Sequence, residues 1–346
     1  MRSAPVGARC GIAINGRAAV RRQIGGVERY AREMAARLPA LHPGRYRVIR
    51  PPEALAHRAG HAWEQLALPL QAARVQVLYS PANLAPVLGG RNAVVIHDVA
   101  PLRCPQAYSA AYVAYQRRML PAIARRARLV LTVSEFSRAE LIEALDVDPS
   151  RIRVAPPGVD ERFRTDADAD GARARLGLTQ PYVLALGTAS ARKNVAVLEP
   201  VARELVRDGV ELVLGGSERG YLRGGAAAVR RLGYVAEEDL PGLFAGAGAF
   251  VMPSLHEGFG LPCMEAMACG TPVVAADAGA LPETCAGAAA LVAPEDPAAI
   301  AGALRTVLVD GALRRRRVQA GLRRAAEFSW SRTAALTDAA LSELLH

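Results

Sequence analysis

The stretch Ala249-Phe250-Val251-Met252-Pro253-Ser254-Leu255-His256-Glu257-Gly258-Phe259-Gly260-Leu261-Pro262-Cys263-Met264-Glu265 sets the reading of the whole chain. Residues 249–252 are continuously apolar, as a strand covered on both faces requires. Gly258 and Gly260 form a loop, and Pro262 falls in the first turn of a helix over residues 261–269. A strand that passes through a glycine loop into a helix start is built to hold phosphate. The glycines admit a ligand to the backbone, and the unpaired N–H groups of the first turn favour an anion. Glu265 lies about one turn into that helix, where a carboxylate can accept both hydroxyls of a ribose, and Glu257 sits on the loop at the sugar end. The competing reading makes both glutamates exposed helix-start carboxylates stabilised by the helix dipole.

The same alternation extends outward in both directions. Downstream of residue 165, strands are expected at 182–186, 211–214, 273–276 and 290–292, with helices at 195–207, 237–245 and 298–309. Upstream, strands are expected at 11–15, 46–49, 75–79, 93–97 and 129–133. They alternate with helices at 27–38, 63–72, 110–127 and 137–145, the first with an apolar stripe at Tyr30, Met34 and Leu38. Buried strands separated by helices give parallel sheets with both faces covered. A chain of 346 residues exceeds the roughly 250 that one core serves. Residues 165–171 are small, acidic and aperiodic and read as a linker, so the expectation is two doubly wound α/β domains, 1–164 and 165–327. In such folds ligands bind beyond the carboxyl ends of the strands, which makes a cleft between domains the expected site.

Charge divides along the same seam. The chain carries a formal net charge of +10, with +12 on residues 1–160 and −2 on the remainder. Of its 43 basic residues all but one are arginine, and the exception, Lys193, points to a position that needs a compact, mobile cation. The five cysteines (Cys10, Cys104, Cys263, Cys269 and Cys285) form no C-x-x-C pair and read as reduced thiols rather than a disulfide or zinc framework. No apolar run is long enough to span a bilayer, and residues 1–5 lack a signal-peptide core, so the expected location is the cytoplasm. Tyr112, Tyr115, Arg117, Arg118, Met119, Arg125, Arg126 and Arg128 fall in or beside one helix that could rest on the anionic inner face of a membrane. No nucleic-acid reader motif accompanies the charge. The Arg314–Arg317 run reads as a solvated helix face.

Other candidates carry both a functional and a structural reading. Gly25-Gly26 precedes the first long helix and offers either ligand-facing amides or a flexible helix entry. His97 ends a strand at the expected cleft edge. Ser134 suits a helix cap, since no G-x-S-x-G elbow surrounds it. Residues 215–220 lack the G-x-G-x-x-G spacing of a dinucleotide site and read as a loop near a nucleotide. Asp166-Ala167-Asp168 matches a metal-binding D-x-D in letters only.

Two glutamates eight apart around Gly258-Phe259-Gly260, followed by Glu265-Ala266-Met267-Ala268-Cys269-Gly270-Thr271-Pro272, resemble the E-x7-E motif of glycosyltransferase family 4. Further matches follow in order: Gly25-Gly26-Val27-Glu28-Arg29-Tyr30, Val95-Ile96-His97-Asp98, Val133-Ser134-Glu135-Phe136-Ser137, Pro157-Gly158-Val159-Asp160, and Gly187-Thr188 with Arg192-Lys193-Asn194. The resemblance implies a GT-B fold, two Rossmann-like domains facing across a cleft, with residues 328–346 crossing back to the first. It implies a retaining, metal-independent hexosyl transfer with no cofactor. The donor is a nucleotide-diphosphate sugar, GDP-mannose first and UDP-hexoses next. The acceptor is a glycan, a lipid-linked saccharide or another small molecule. By the same resemblance Lys193 and Arg192 contact the diphosphate, Glu265 the ribose, Glu257 the donor sugar and His97 a sugar hydroxyl. Gly25, Gly26, Gly187, Thr188, Gly258, Phe259, Gly260 and Leu261 complete the donor site. Rival expectations on the same architecture are a sugar-nucleotide epimerase and a non-catalytic nucleotide-sugar-binding protein, with a dehydrogenase further off.

Overall fold

A computed structural model describes residues 11–21, 25–56, 60–187, 190–216 and 228–345. The chain forms two units. Unit 1 takes the residues up to Arg103, then Ala110–Gly158 and the chain from Trp330 onward; unit 2 takes Cys104–Ser109 and Val159–Ser329. No helix among the described residues is long and apolar enough to cross a membrane.

Unit 1 runs β1 (Ile12–Asn15), α1 (Gly26–Leu41), β2 (Tyr46–Ile49), α2 (Glu53–Ala56), α3 (Gly60–Gln71), β3 (Val77–Ser80), β4 (Asn92–Val95), α4 (Ala100–Arg103), α5 (Ala110–Arg126), β5 (Leu129–Thr132), α6 (Glu135–Leu145) and β6 (Ile152–Val154). Its sheet is parallel throughout, in the order β2-β1-β3-β4-β5-β6. The strands β1, β3, β4 and β5 are buried at every position, which is why each reads as apolar but for one polar residue at an end rather than as an alternating pattern.

Unit 2 repeats the plan with α7 (Ala169–Arg175), β7 (Tyr182–Leu186), α8 (Leu198–Arg207), β8 (Glu211–Gly215), β9 (Val229–Gly233), α9 (Leu240–Ala245), β10 (Ala249–Met252), α10 (Leu261–Ala268), β11 (Val273–Ala276), α11 (Leu281–Cys285), β12 (Ala290–Val292), α12 (Pro297–Val309) and α13 (Gly311–Ala326). The sheet order is β12-β11-β10-β7-β8-β9, again parallel. One layer of its core joins Leu198, Val201 and Leu205 of α8 to Ile300, Leu304 and Val307 of α12 across β7, β8 and β10. The last helix, α14 (Trp330–Ser342), belongs to unit 1. Its Trp330 is 2% exposed and meets the Tyr30 ring edge-on at 5.8 Å, while Asp338 accepts from Tyr46 at 2.5 Å and Arg45 at 3.1 Å.

Three expectations require correction. Residues 165–171 are not a free linker: the Asp168 side chain accepts from the Gly171 amide at 2.8 Å and caps α7, and the chain enters unit 2 at Val159. The arginine run of α13 is only half solvated, since Arg314 donates to the Gly248 carbonyl and Arg317 to the carbonyls of Gly287 and Ala289. The strands β6 and β9 escaped the sequence reading because each carries arginine inside a short span, Arg153 in one and Arg230 and Arg231 in the other. Both are sheet edges, where one side faces away from the apolar centre.

Candidate active site

The sheet of unit 2 reverses its direction of growth between β7 and β10, with β8 and β9 to one side and β11 and β12 to the other. Strands whose connections diverge in this way leave a crevice beyond their carboxyl ends. The two loops that leave those ends meet there. Arg192 and Lys193 sit in a 3-10 turn after β7, and residues 253–260 follow β10. The Leu255 amide donates to the Arg192 carbonyl at 2.8 Å, which ties one loop to the other through the backbone.

Glu257 stands between the two cations. Lys193 Nζ donates to its Oε1 at 2.5 Å, and Arg192 Nη1 lies 3.0 Å from its Oε2 while also donating to the His256 carbonyl at 2.5 Å. The three side chains are 15%, 16% and 10% exposed for Lys193, Arg192 and Glu257, dry enough for their charges to act strongly on one another. Burial alone would raise the Glu257 carboxyl. The charges of Lys193 and Arg192, with hydrogen bonds from Lys193 and Ser254, outweigh it and bring the pKa down to about 2.

The glutamates are therefore not exposed helix-start carboxylates: Glu257 is 7% and Glu265 4% exposed. Glu265 lies on α10 one turn beyond Gly260, whose φ of 92° is a conformation that glycine adopts freely. A Cβ at Gly260 would meet the Leu281 side chain at 2.5 Å. Gly258 and Gly260 are buried in the same loop, and Leu261 is half-buried at the helix start. Phe259 is turned inward, its ring edge-on to Phe328 at 5.2 Å, so its side chain packs the loop rather than lining it. Gly187 ends β7 beside the Lys193 stem, with its amide on the Gly215 carbonyl at 3.0 Å. Thr188 and residues 217–220 lie outside the described residues.

In unit 1 the sheet reverses between β1 and β3. Gly25 opens α1 as its N-cap, and its amide donates to Glu28 Oε2 at 3.1 Å, so the expected ligand-facing amide is engaged within the chain. Gly26 has open space where a side chain would stand. His97 lies two residues beyond β4, 8% exposed, with its ring edge-on to Tyr30 at 4.9 Å. Its Nε2 lies 3.1 Å from the Pro81 carbonyl. Because a carbonyl only accepts, Nε2 carries the proton and Nδ1 keeps the lone pair. Burial lowers the imidazole pKa, against the Pro81 carbonyl and the charges of Asp98 and Glu28, which raise it. The ring is thus neutral at neutral pH.

The backbone around His97 is fixed on both sides. Its amide donates to Asn83 Oδ1 at 2.8 Å, and its carbonyl accepts from Ser137 Oγ at 3.0 Å. Ser134 caps α6 by accepting from the Ser137 amide at 3.0 Å, as its sequence context suggests.

Sequence reasoning missed a buried polar cluster at the unit 1 reversal. Asn15 at the end of β1 donates to Glu64 Oε1 at 2.6 Å, and Arg17 Nε lies 3.0 Å from the same oxygen. Ser80, at the end of β3, lies 3.3 Å from the Asn15 amide nitrogen. These residues are far apart in sequence and share no motif, and only the parallel order of β1 and β3 brings them together. On α5 the structure leaves Tyr112, Tyr115, Arg117, Arg118, Arg125 and Arg126 exposed, opposite the buried Val113, Leu120 and Ile123.

Residues 24–163 match the model described as Glycosyltransferase Family 4, and residues 180–310 match the model described as Glycosyl transferases group 1. The chain is 33% identical over 294 residues to the O-antigen chain mannosyltransferase B of Escherichia coli, covering 80% of this chain and 75% of that protein. Several D-inositol 3-phosphate glycosyltransferases are also similar, and the chain spans about half of their length, 51% for that of Streptomyces avermitilis. Among solved structures, sucrose-phosphate synthase from Thermosynechococcus elongatus superposes with a TM-score of 0.76 at 23% identity, covering 96% of this chain and 98% of that one. An Anabaena protein solved with UDP-glucose, HepE, superposes at 0.73 and 20% identity over 96% and 99% of the two chains. Two parallel six-stranded sheets wound in this order, the paired loops beyond β7 and β10, and these similarities lead to one assignment: the chain belongs to glycosyltransferase family 4 and has its GT-B fold.

Proposed function

We propose that the chain transfers a hexose with retention of anomeric configuration, without a metal or cofactor, from a nucleotide-diphosphate sugar held by unit 2 to a hydroxyl of a glycan or lipid-linked acceptor. The observation that carries this reading is the meeting of Arg192, Lys193 and Glu257 at the sheet reversal, where two cations converge on one displaceable carboxylate. A departing nucleoside diphosphate gains negative charge on its terminal phosphate oxygen, and cations fixed in a dry site stabilise that charge. Arg192 and Lys193 serve this role once the diphosphate takes their outer hydrogen-bonding positions.

Glu265 accepts the ribose hydroxyls and Glu257 a hydroxyl of the donor sugar, while the Nδ1 lone pair of neutral His97 is an acceptor that unit 1 offers to a sugar O–H. The acceptor oxygen forms its bond to the anomeric carbon on the face the phosphate leaves, and a donor phosphate oxygen takes the acceptor proton. Gly25 contributes to the helix start rather than an amide, and Gly26 leaves the entry to α1 open. Mannose from GDP-mannose is the first donor, in line with the E. coli mannosyltransferase relative; UDP-glucose, the ligand of the Anabaena protein, is the second.

A thermal-shift screen of nucleoside diphosphates with a chelator present tests the donor site. GDP at about 100 times its dissociation constant is expected to add about 2.7 kcal/mol to stability. The shift should be largely lost in Lys193→Ala. If no diphosphate shifts the wild type, or the shift survives in Lys193→Ala, the reading fails. Turnover of a sugar nucleotide without any acceptor would instead favour the epimerase.

A further inference from the structure

Every strand of a parallel sheet starts at the same edge, so the residues just ahead of the strands are brought together there whatever their distance in sequence. In unit 1 that edge carries an unusual set. Arg47 lies in the first half of β2, Arg74 three residues before β3, Arg91 one before β4 and Arg128 one before β5. All four are exposed and line one open cavity of about 1020 Å³, with Gly11, Gln76 and Leu345 among its walls. The amide of Arg128 donates to Asn92 at 2.8 Å and that of Leu78 to Arg91 at 2.9 Å, which locks the bases of these side chains into the sheet. Gly11, ahead of β1, lies between the β2 and β3 positions, and the Leu345 and Gln76 side chains come to within 4 Å of where its Cβ would stand.

None of the four guanidinium groups meets a carboxylate among the described residues. Arg47 uses a nitrogen on the Gln71 carbonyl at 2.8 Å, and Arg91 donates to the carbonyls of Ala73 and Val75 at 2.6 Å and 3.0 Å. These contacts orient the groups without neutralising them. Some other unit 1 arginines are neutralised within the chain: Arg17, Arg45, Arg103 and Arg153 each pair with an acid. Four cations around one cavity, with no carboxylate against them among the described residues, raise the local potential and favour an anion there.

We propose that this cavity is a second anion site, separate from the Arg192–Lys193 pair of unit 2, and that it binds a phosphate monoester or diphosphate group. Guanidinium forks match phosphoryl oxygens two at a time, and the side chains of Arg74 and Arg128, both on the cavity wall, have no hydrogen-bond or ion-pair partner among the described residues. The phosphoryl group can come from a soluble compound or from a lipid headgroup, and the geometry of the arginines is the same for both.

Arginine labelling with phenylglyoxal, mapped by mass spectrometry on the full chain, reads the site locally. Inorganic pyrophosphate is one arm; vesicles containing phosphatidic acid, whose headgroup is a phosphate monoester, compared with phosphatidylcholine vesicles at the same salt, are the other. Arg207, exposed on unit 2 and without a described partner, reports nonspecific screening. An occupant at ten times its dissociation constant should slow labelling of both Arg74 and Arg128 about tenfold by mass action while Arg207 is unaffected. Protection by pyrophosphate supports a soluble ligand, and protection by phosphatidic acid vesicles alone supports a headgroup. Protection in neither arm, or equal protection of Arg207, overturns the proposal. Because Lys193→Ala leaves this cavity intact, the result should be unchanged in that variant, which separates it from the fate of the donor-site reading.

Discussion

Glu257 stays ionised in a nearly dry position because Lys193 and Arg192 hold it there, and that makes its charge a measurable part of stability. A folded pKa below the unfolded one stabilises the fold above the unfolded value and loses that contribution as pH falls towards the folded value. For Glu257 the window runs from 4.5 down to about 2, and the lowering corresponds to roughly 3 kcal/mol. Urea midpoints of the wild type and Glu257→Gln should differ at pH 6 and draw together below pH 4.5. Parallel curves through that range would show that the ion pairs do not act on the fold. These residues were legible in sequence because a glycine loop and a lone lysine are local signals. The Asn15, Arg17 and Glu64 cluster was not, because nothing in its surroundings marks 47 residues of separation as contact.

Elements were legible wherever burial on both faces left an apolar run, as in β7, β10 and β11, whose observed bounds equal the expected ones, and the short apolar edge strand β12 was found with the same bounds. Capping decided one of the cases that failed. Asp168 turns an acidic stretch into the start of α7 by binding an amide, which the spacing of apolar residues cannot reveal. At α10 the entry depends on one backbone conformation. Gly260→Ala would place a Cβ at φ 92° and 2.5 Å from Leu281, and is expected to cost about 1–3 kcal/mol. Guanidinium denaturation of the variant measures this cost, and an unchanged midpoint would mean that the loop relaxes without penalty. Ser134→Ala, which removes the cap of α6 but leaves the Ser137 bond to His97 in place, should cost about 1 kcal/mol.

For the whole molecule, the assignment of α14 to unit 1 makes that unit depend on the far end of the sequence. Trp330→Ala removes a ring that is 2% exposed and is expected to cost about 3–5 kcal/mol, felt in unit 1. Hydrogen exchange should rise in α1 and β2 and stay unchanged in β7 and β10; a uniform rise in all four would contradict the division into units. The twofold pattern of strands and helices was readable along the chain, but the order of strands in each sheet was not, since it depends on which crossover each helix makes.

The route of the chain also sets a timetable. Val159 and Ser329 pair side by side as an isolated bridge, and the Val159 amide donates to the Phe328 carbonyl at 3.1 Å, so the long segment of unit 2 begins and ends at one point. As the polypeptide emerges from the ribosome, unit 2 has all its residues when Ser329 appears, while unit 1, begun first, still waits for α14. The earlier-started half is therefore the later to finish, and it must spend the synthesis of about 170 residues with Tyr30 and Tyr46 uncovered on the face that α14 will close.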